Sequence, residues 1–316
     1  MALSLRRGVV TGVGEQAPGL VRLEVDGVAC VAYPRLTGEV EVGDEVLVNE
    51  GARLLGLGSG GFDVLYANLT RGLGLPQEEG AHVMALPYTP GQMALRRVEE
   101  GAELPESLGG LPVVLCTLHS QVAPVCAALR GLRVAYVQVA GGALPVPLSD
   151  AVRVLRAGGL LEATAAVAPC FDGDVECVTA AAALAWAARE HHEVVACSVG
   201  PGIVGTGSRL GHGALALADV ANTALALGGR PVLAVRESEA DPRERHRGVS
   251  HHARAVLDLC LGEVETASGG AVDEEAWREA CAGLPLSHMG RGPGEDAAFF
   301  RSAYAAGVLA RRLAGG

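Results

Sequence analysis

Residues 193–254 read EVVACSVGPGIVGTGSRLGHGALALADVANTALALGGRPVLAVRESEADPRERHRGVSHHAR. The pattern predicts strands over 194–199 and 231–235, because short apolar runs bounded by glycine or charged residues are typical of buried strands. The run 214–227, rich in alanine and leucine, ends at two glycines and predicts a helix between them. A strand, helix and strand of this length form a crossover in a parallel sheet. The loops that follow the two strands should therefore lie side by side at the carboxyl edge, where open α/β sheets bind ligands.

Three further strand and helix units precede this segment. The apolar runs PVVLCTL, RVAYVQV and ATAAVAP predict strands, and a helical pattern follows each one. Five such units in succession predict an α/β fold with a doubly wound, mainly parallel five-stranded sheet. We assign residues 106–265 to this α/β domain, which carries the candidate site.

The flanking segments differ in pattern from the α/β domain. Residues 7–49 alternate apolar and polar positions in short pieces separated by Gly, Pro and Asp, which predicts a small antiparallel β-barrel or sandwich. With an irregular extension, this N-terminal β domain spans residues 1–105. Residues 266–316 carry two helical patterns, which we interpret as helices packing on the α/β domain or on a second subunit of a homo-oligomer.

The composition excludes several classes of function. All 25 basic residues are arginine, so a Schiff-base amine or a P-loop lysine is ruled out. A net charge of −11 and an aromatic content of 3% disfavour a nucleic-acid partner. The longest apolar run is too short to span a bilayer, and the N-terminus lacks the pattern of a secretory signal. We therefore expect a cytoplasmic protein with no membrane partner.

The eight cysteines are scattered without a CxxC pair. Several fall within apolar strand patterns, so we interpret them as small buried hydrophobic residues in a reducing compartment.

The glycine-rich loop GPGIVGTGSRLGHG, residues 200–213, predicts an anion site. Glycines let backbone N–H groups approach an anion, and the following helix adds the positive end of its dipole. The loop does not follow the dinucleotide fingerprint and has no Walker lysine, and a simple flexible connection is the alternative. The predicted anion-binding residues of this loop are Gly202, Gly205, Thr206, Gly207, Ser208 and Arg209.

The second loop, ESEADPRERHRGVSHH, contributes charged and titratable groups. Arg243, Arg245 and Arg247 are predicted to neutralise the anion. A serine is predicted to cap the next helix, which places His251 and His252 in its first turn. Cationic imidazoles are unfavourable there, which indicates neutral imidazoles acting as ligands or bases. The alternative is a solvated charge run with internal ion pairs.

A divalent metal ion is an optional cofactor of this site. In that variant His246 and one later histidine join Asp172 or Asp241 as ligands. Adjacent histidines on a helix point about 100° apart, so at most one of the pair should share an ion with His246. Asp172 also reads as an ordinary helix cap. The full set of catalytic candidates is His119, Asp172, Asp241, His246, His251 and His252.

A later loop contains His288 and Arg291, which could reach a ligand. We assign neither of them a functional role from the sequence.

Several strings resemble one known family. TLHSQVAP, SVGPGIVGTGSRLG and ADPRERHRGVSHH, with LTGEVEVGDEVLVN and GLGSGGFDVLYANL upstream, are similar to the bacterial domain-of-unknown-function family 3866. The resemblance covers nearly the whole chain, from the β domain to the last strand and helix unit. It implies a soluble bacterial protein and transfers no catalytic roles.

Two functions remain open from the sequence. The first is an enzyme acting on a phosphorylated or otherwise anionic small molecule, with a histidine transferring a proton and metal-assisted hydrolysis as a variant. The second is a non-catalytic ligand-binding or regulatory module that senses an anionic metabolite.

Overall fold

A computed structural model describes residues 3–56, 60–101, 103–267 and 269–315. The chain divides into two compact units, Met1–Leu95 and Arg96–Gly316. No helix in these described ranges combines the length and the apolar character needed to cross a membrane.

The first unit contains a closed five-stranded barrel in the order β1-β2-β3-β5-β4. Alternate residues such as Val21, Leu23 and Val46 point into its apolar core. A short hairpin, β6 and β7, follows the barrel. The strands are β1 (Leu5–Ala17), β2 (Leu20–Val25), β3 (Val28–Ala32), β4 (Glu45–Asn49), β5 (Asp63–Asn68), β6 (Val83–Ala85) and β7 (Met93–Leu95), and the helices are α1 (Pro34–Thr37) and α2 (Gly51–Leu54).

The predicted barrel or sandwich is thus a barrel, but it is not wholly antiparallel. β3 and β5 pair in parallel, whereas the other neighbouring strands are antiparallel. A closed barrel with an odd number of strands cannot alternate direction all the way round. At least one neighbouring pair must therefore be parallel.

The second unit is built on a seven-stranded sheet in the order β11-β10-β9-β12-β8-β13-β16, in which every neighbouring pair is parallel. Its strands are β8 (Pro112–Cys116), β9 (Val134–Val139), β10 (Ala163–Val167), β11 (Val175–Cys177), β12 (Val194–Val199), β13 (Arg230–Ala234) and β16 (Glu265–Thr266). A separate antiparallel pair, β14 (Glu237–Ser238) and β15 (Gly248–Val249), lies within the charged loop after β13.

Helices cover both faces of this sheet. α5, α6 and α7 pack on one face, and α3, α4 and α9 pack on the other. Central strands such as β9 and β12 are consequently buried along their whole length, as expected for a parallel sheet between two helical layers. The helices are α3 (Val122–Ala128), α4 (Asp150–Ala157), α5 (Ala180–Arg189), α6 (Ala216–Ala226), α7 (His251–Leu259), α8 (Glu274–Ala280) and α9 (Ala297–Ala314).

The prediction of an α/β domain after a β-barrel is confirmed, but the sheet differs in detail. The five predicted strands form its centre, and β11 and β16 were missed because two or three residues give no periodic pattern. The doubly wound description is inexact because β12 lies between β8 and β9. In a doubly wound sheet, successive strands are added outward from the first strand on either side, and the position of β12 breaks this order.

All eight cysteines fall in the described ranges, where each is a free thiol and seven are buried. This confirms the interpretation as small buried hydrophobic residues for all of them except Cys260, which is half-buried.

Glycines allow two loops at the carboxyl edge to cross in backbone contact. A Cβ atom at Gly142 would lie 2.1 Å from the carbonyl oxygen of Gly200, and one at Gly213 would lie 2.0 Å from that of Gly141. The backbone N–H of Val204 donates to the carbonyl of Gly141 at 2.9 Å. The loop after β9 therefore fixes both ends of the glycine-rich loop after β12.

We predict that Gly213→Ala lowers the free energy of unfolding by about 3 kcal/mol, because its Cβ has no space against the neighbouring backbone. Gly207→Ala in the same loop is the matched control, since no heavy atom lies within 4 Å of its added Cβ. That change should stay within about 0.5 kcal/mol of the wild type. Urea unfolding curves measure both values, and equal effects would contradict the close-contact role of Gly213.

Candidate functional site

The two loops predicted to lie side by side do meet at the carboxyl edge. His212, near the end of the glycine-rich loop, places its ring centroid 3.9 Å from that of His252 and 5.6 Å from that of His251. Arg209 of the same loop forms an ion pair of 2.7 Å with Asp258 on α7. Residues about forty positions apart in the sequence thus share one site.

A four-histidine cluster forms here from His212, His246, His251 and His252. The ring of His246 lies 4.8 Å from that of His251 and 4.9 Å from that of His252. Three of the four side chains are buried, and His251 is half-buried. Three of these histidines were predicted from the sequence, and His212 was not.

One serine organises two members of this cluster. Ser250 is the N-cap of α7, as predicted, and its Oγ accepts a hydrogen bond from the backbone N–H of His252 at 3.2 Å. The same Oγ lies 2.7 Å from Nδ1 of His246. The cap of the helix therefore also fixes the orientation of the His246 ring.

The surroundings favour neutral imidazoles. Burial, with the charges of Arg236 and Arg243, lowers the pKa of His246 to about 3. Burial also lowers the pKa of His252 to about 2, and it moves those of His212 and His251 in the same direction. All four rings are therefore uncharged at neutral pH, as the position of His251 and His252 at the helix start had indicated.

Several ring nitrogens of the cluster are buried without a hydrogen-bond partner. Both nitrogens of His212 and Nε2 of His251 are of this kind. The nearby backbone of Arg209 raises the pKa of His212 slightly and so offsets part of the effect of burial. The contact between them does not have the geometry of a hydrogen bond. Buried polar atoms are normally paired, so these nitrogens are free to bind a ligand.

Three of the rings have the spacing of metal ligands. One nitrogen each from His212, His251 and His252 lies within 4.8 Å of the others. Both adjacent histidines thus have nitrogens at ligand spacing with His212 rather than with His246. The angle between their Cα–Cβ bonds does not prevent this, because rotation about χ1 and χ2 turns both rings toward a group in front of the helix start.

A buried carboxylate holds the second loop together. Asp241 is fully buried, and its Oδ2 lies 3.2 Å from Arg236, 2.9 Å from Arg243 and 3.5 Å from Arg291. Burial raises the pKa of Asp241, but hydrogen bonds from Arg243 and the charges of Arg243 and Arg236 outweigh it and hold the pKa below its ordinary value. The carboxylate is thus ionised and occupied by arginines, which leaves it unsuited to the predicted metal-ligand role.

Arg236 connects this carboxylate with the four-histidine cluster. It is only 2% exposed, and its Nη1 lies 3.2 Å from Nδ1 of His252. A guanidinium only donates hydrogen bonds, so Nδ1 of His252 accepts and the ring proton is assigned to Nε2. Burial lowers the pKa of Arg236 to about 10, which still leaves it charged at neutral pH.

The loop before α9 adds two residues, His288 and Arg291, that had no role predicted from the sequence. Arg291 bonds Asp296 at 3.3 Å as well as Asp241. His288 stacks on Phe299 with 3.8 Å between ring centroids. Its Nδ1 lies 3.4 Å from the hydroxyl of Ser120 in the loop after β8.

His119, predicted as catalytic, belongs to a separate network. Its Nε2 lies 2.6 Å from Oγ of Ser149, and its Nδ1 lies 3.3 Å from the carbonyl of Val199 and 3.3 Å from the hydroxyl of Tyr136. Ser149 is also the N-cap of α4. His119 therefore connects β8, β9, β12 and α4.

Asp172 lies far from the four-histidine cluster. It follows β10, which stands four positions from β13 in the sheet, or about 19 Å at the usual strand spacing. Its backbone N–H donates to Glu176. A shared metal ion between Asp172 and His246 does not fit this arrangement.

The predicted anion-binding residues of the glycine-rich loop, from Gly202 to Arg209, are mostly exposed. The tip folds on itself, because the backbone N–H of Thr206 donates to the carbonyl of Gly211 at 2.6 Å and its hydroxyl lies 3.0 Å from that of Ser208. Gly205 bridges to His212, which places this tip directly beside the cluster. Contact with an anion remains a prediction for Gly202, Gly205, Thr206, Gly207, Ser208 and Arg209.

The arginines of the second loop take different positions. Arg243 is 35% exposed while it holds Asp241, and Arg245 and Arg247 are exposed. The charge of Arg245 contributes to the lowered pKa of His251. The Nε of Arg247 donates to the backbone carbonyl of Asp241 at 3.2 Å.

The sequence matches a family described as "Protein of unknown function (DUF3866)" over residues 29–268. The chain belongs to this family. The matched range includes nearly all of β3 and the whole of β4 and β5 of the barrel, but not β1 and β2. It also includes the whole parallel sheet and all four histidines of the cluster, and the family description assigns no reaction to them. No curated protein matched the sequence.

We predict that Asp241→Asn lowers the free energy of unfolding by about 3–5 kcal/mol, because it leaves buried Arg236 without its main counter-charge. Chemical unfolding followed by circular dichroism measures the loss. Asp258→Asn is the matched control, since the Asp258–Arg209 pair is more than half exposed and should contribute at most about 1 kcal/mol. A loss at Asp241 no larger than the control would contradict its anchoring role.

A second prediction concerns pH. Burial lowers the pKa of His119 from 6.5 to about 4. Between these values the unfolded chain binds a proton that the folded chain does not, so stability falls as the pH falls. His119→Gln should make this dependence shallower by up to about 1.4 kcal/mol per pH unit between about pH 6 and pH 4.5. Unfolding curves at several pH values test this, and unchanged slopes would contradict the buried neutral state.

Proposed function

We propose that this protein is an enzyme acting on a phosphorylated or otherwise anionic small molecule at the carboxyl edge of its parallel sheet. The observation that supports this proposal most directly is the positive field at the four-histidine cluster. The charges that lower the imidazole pKa values belong to Arg236, Arg243 and Arg245, and that of Asp241 opposes them. Because the chain as a whole carries −11, a local positive field at a ligand-binding edge favours an anionic ligand.

In this proposal the exposed arginines bind the anion. Arg243, Arg245 and Arg247 neutralise its charge, and planar guanidinium groups suit phosphate and carboxylate oxygens. The backbone N–H groups and hydroxyls of the tip from Gly205 to Ser208 supply further hydrogen bonds from the opposite loop. Asp241 has a positioning role, because it holds the guanidinium groups of Arg236 and Arg243 in place.

His246 is the proposed proton carrier. When its Nδ1–H donates to Ser250, its Nε2 lone pair is available to accept a proton from an attacking water. The oxygen of that water then bonds to the reacting phosphorus or carbonyl carbon as the leaving group departs. A bound anion offsets part of the positive field of the arginines and raises the pKa of His246, so proton transfer becomes favourable when the substrate is present.

Two of the predicted catalytic residues have no part in this mechanism. His119 is held by Ser149 and the carbonyl of Val199, and Asp172 follows a distant strand.

We predict that His246→Gln lowers kcat by about 10²–10⁴-fold on any phosphate ester or nucleotide that the wild type hydrolyses, because it removes the proton carrier. Arg245→Ala should instead raise KM, because it removes a charge that attracts the anion in both ground and transition states. Release of inorganic phosphate from a panel of such esters measures both parameters.

Arg254→Ala is the matched control, since Arg254 is an exposed arginine on α7, close in sequence to the same loop. It should retain wild-type kinetics, and circular dichroism should show that all three variants are folded. Saturable thermal stabilisation by nucleotides or phosphate without turnover would instead indicate a non-catalytic ligand-binding or regulatory module. If no anion of the panel stabilises the protein and none is turned over, the proposal is contradicted.

A further inference from the structure

His212 is the least satisfied buried polar side chain of the four-histidine cluster. It is only 6% exposed, yet neither ring nitrogen has a hydrogen-bond partner. A neutral imidazole has one donor and one acceptor nitrogen, and burying both unpaired is unfavourable. A ligand that binds a nitrogen of His212 removes part of this penalty.

The neighbours of His212 identify the chemistry of that ligand. Nε2 of His251 is also buried without a partner, and nitrogens of His212, His251 and His252 lie within 4.8 Å of one another. We propose that these three histidines bind one divalent transition-metal ion of the zinc or cobalt type. Three imidazole nitrogens suit such ions, and they leave a fourth position open for water or a substrate oxygen.

The protonation states permit this binding at neutral pH. Burial is the main cause that lowers the pKa of His212, His251 and His252. The rings are therefore not in the cationic form that would prevent metal binding near pH 7.

His252 must rearrange when the ion binds. Its Nδ1 accepts a hydrogen bond from Arg236, so Nε2 is the nitrogen left for the ion, and Nε2 carries the ring proton. Binding moves that proton to Nδ1, which releases the bond from Arg236, while Arg236 keeps its ion pair with Asp241. His252 also turns out of its stack on His212, whose ring lies at 22° to its own.

The other candidates for ligands are already occupied. Asp241 is held by three guanidinium groups. Nδ1 of His246 is engaged with Ser250, and His246 lies outside the set of three nitrogens that converge. The ion therefore joins the glycine-rich loop to the start of α7, with His246 beside it.

This inference goes beyond the proposed function, because an ion can be bound whether or not a substrate is hydrolysed. If the proposed function holds, the ion supplies an activated water next to His246. The two claims can therefore fail separately.

The test is a titration of the untagged, chelator-treated full-length protein with Co²⁺, followed by competition with Zn²⁺. We expect one ion per chain and the visible absorption of four- or five-coordinate Co²⁺ with nitrogen ligands. His212→Ala should weaken binding by more than about 100-fold, beyond the 10- to 100-fold loss typical of an outer hydrogen-bond partner. His251→Ala provides a second ligand variant, and it is expected to behave in the same way.

Two controls separate the ligands from other histidines. His82→Ala removes an exposed imidazole of the first unit and should leave the affinity unchanged. His246→Gln should still bind one ion even where it abolishes turnover. Loss of the ion in His246→Gln with retention in His212→Ala would overturn the proposed ligand set.

The wild-type titration decides the inference even if a variant fails to fold. Absence of saturable one-to-one binding of Co²⁺ or Zn²⁺ overturns it. Turnover by a protein that binds neither ion would overturn it while leaving the proposed function intact. Metal binding that depends on His212, in a protein that hydrolyses none of the tested esters, would support the inference and count against the proposed function.

Discussion

The buried carboxylate of Asp241 is the interaction on which the candidate site depends. Three guanidinium groups converge on it, and one of them, from Arg236, is itself almost wholly buried. Removing the negative charge would leave Arg236 unfavourably placed in the interior. Because Arg236 also donates to His252, and because its charge adds to burial in lowering the pKa of His246, this one carboxylate indirectly helps to orient and neutralise the neighbouring imidazoles.

A second constraint acts on the other side of the site. Crossing backbones at Gly141 and Gly213 fix the glycine-rich loop where it returns to α6, and His212 is the residue before that crossing. The loop therefore combines a rigid base with an exposed tip, where Thr206 and Ser208 bond each other. The base places an imidazole against α7, and the tip leaves backbone and hydroxyl groups open to a ligand. Glycine thus serves close packing at one end of the loop and accessibility at the other.

Three aspects of the site needed more than sequence patterns. His212 lies between two glycines in a loop interpreted as an anion cradle, and nothing in its immediate sequence marks it as a partner of residues forty positions later. A signal was present, however, because a histidine at the end of one edge loop could have been paired with those of the adjacent loop. Asp241 carries a carboxylate that could bind a metal ion. Its carboxylate is instead bound by arginines, among them Arg236 and Arg291, the latter fifty positions away. His119 follows a strand at the correct edge, yet Ser149 and the carbonyl of Val199 hold it in a network of its own.

The sequence by itself determined the α/β architecture, the carboxyl edge as the place of the candidate site, the N-cap at Ser250 and the neutrality expected of His251 and His252. These properties follow from periodicity and local hydrogen bonding, which act over a few residues. Only the tertiary structure decided the insertion of β12 between β8 and β9, the edge strands β11 and β16, and the choice of His212 as the partner of the later histidines. Strand order and the pairing of buried polar groups depend on contacts between distant segments, and no local pattern records them.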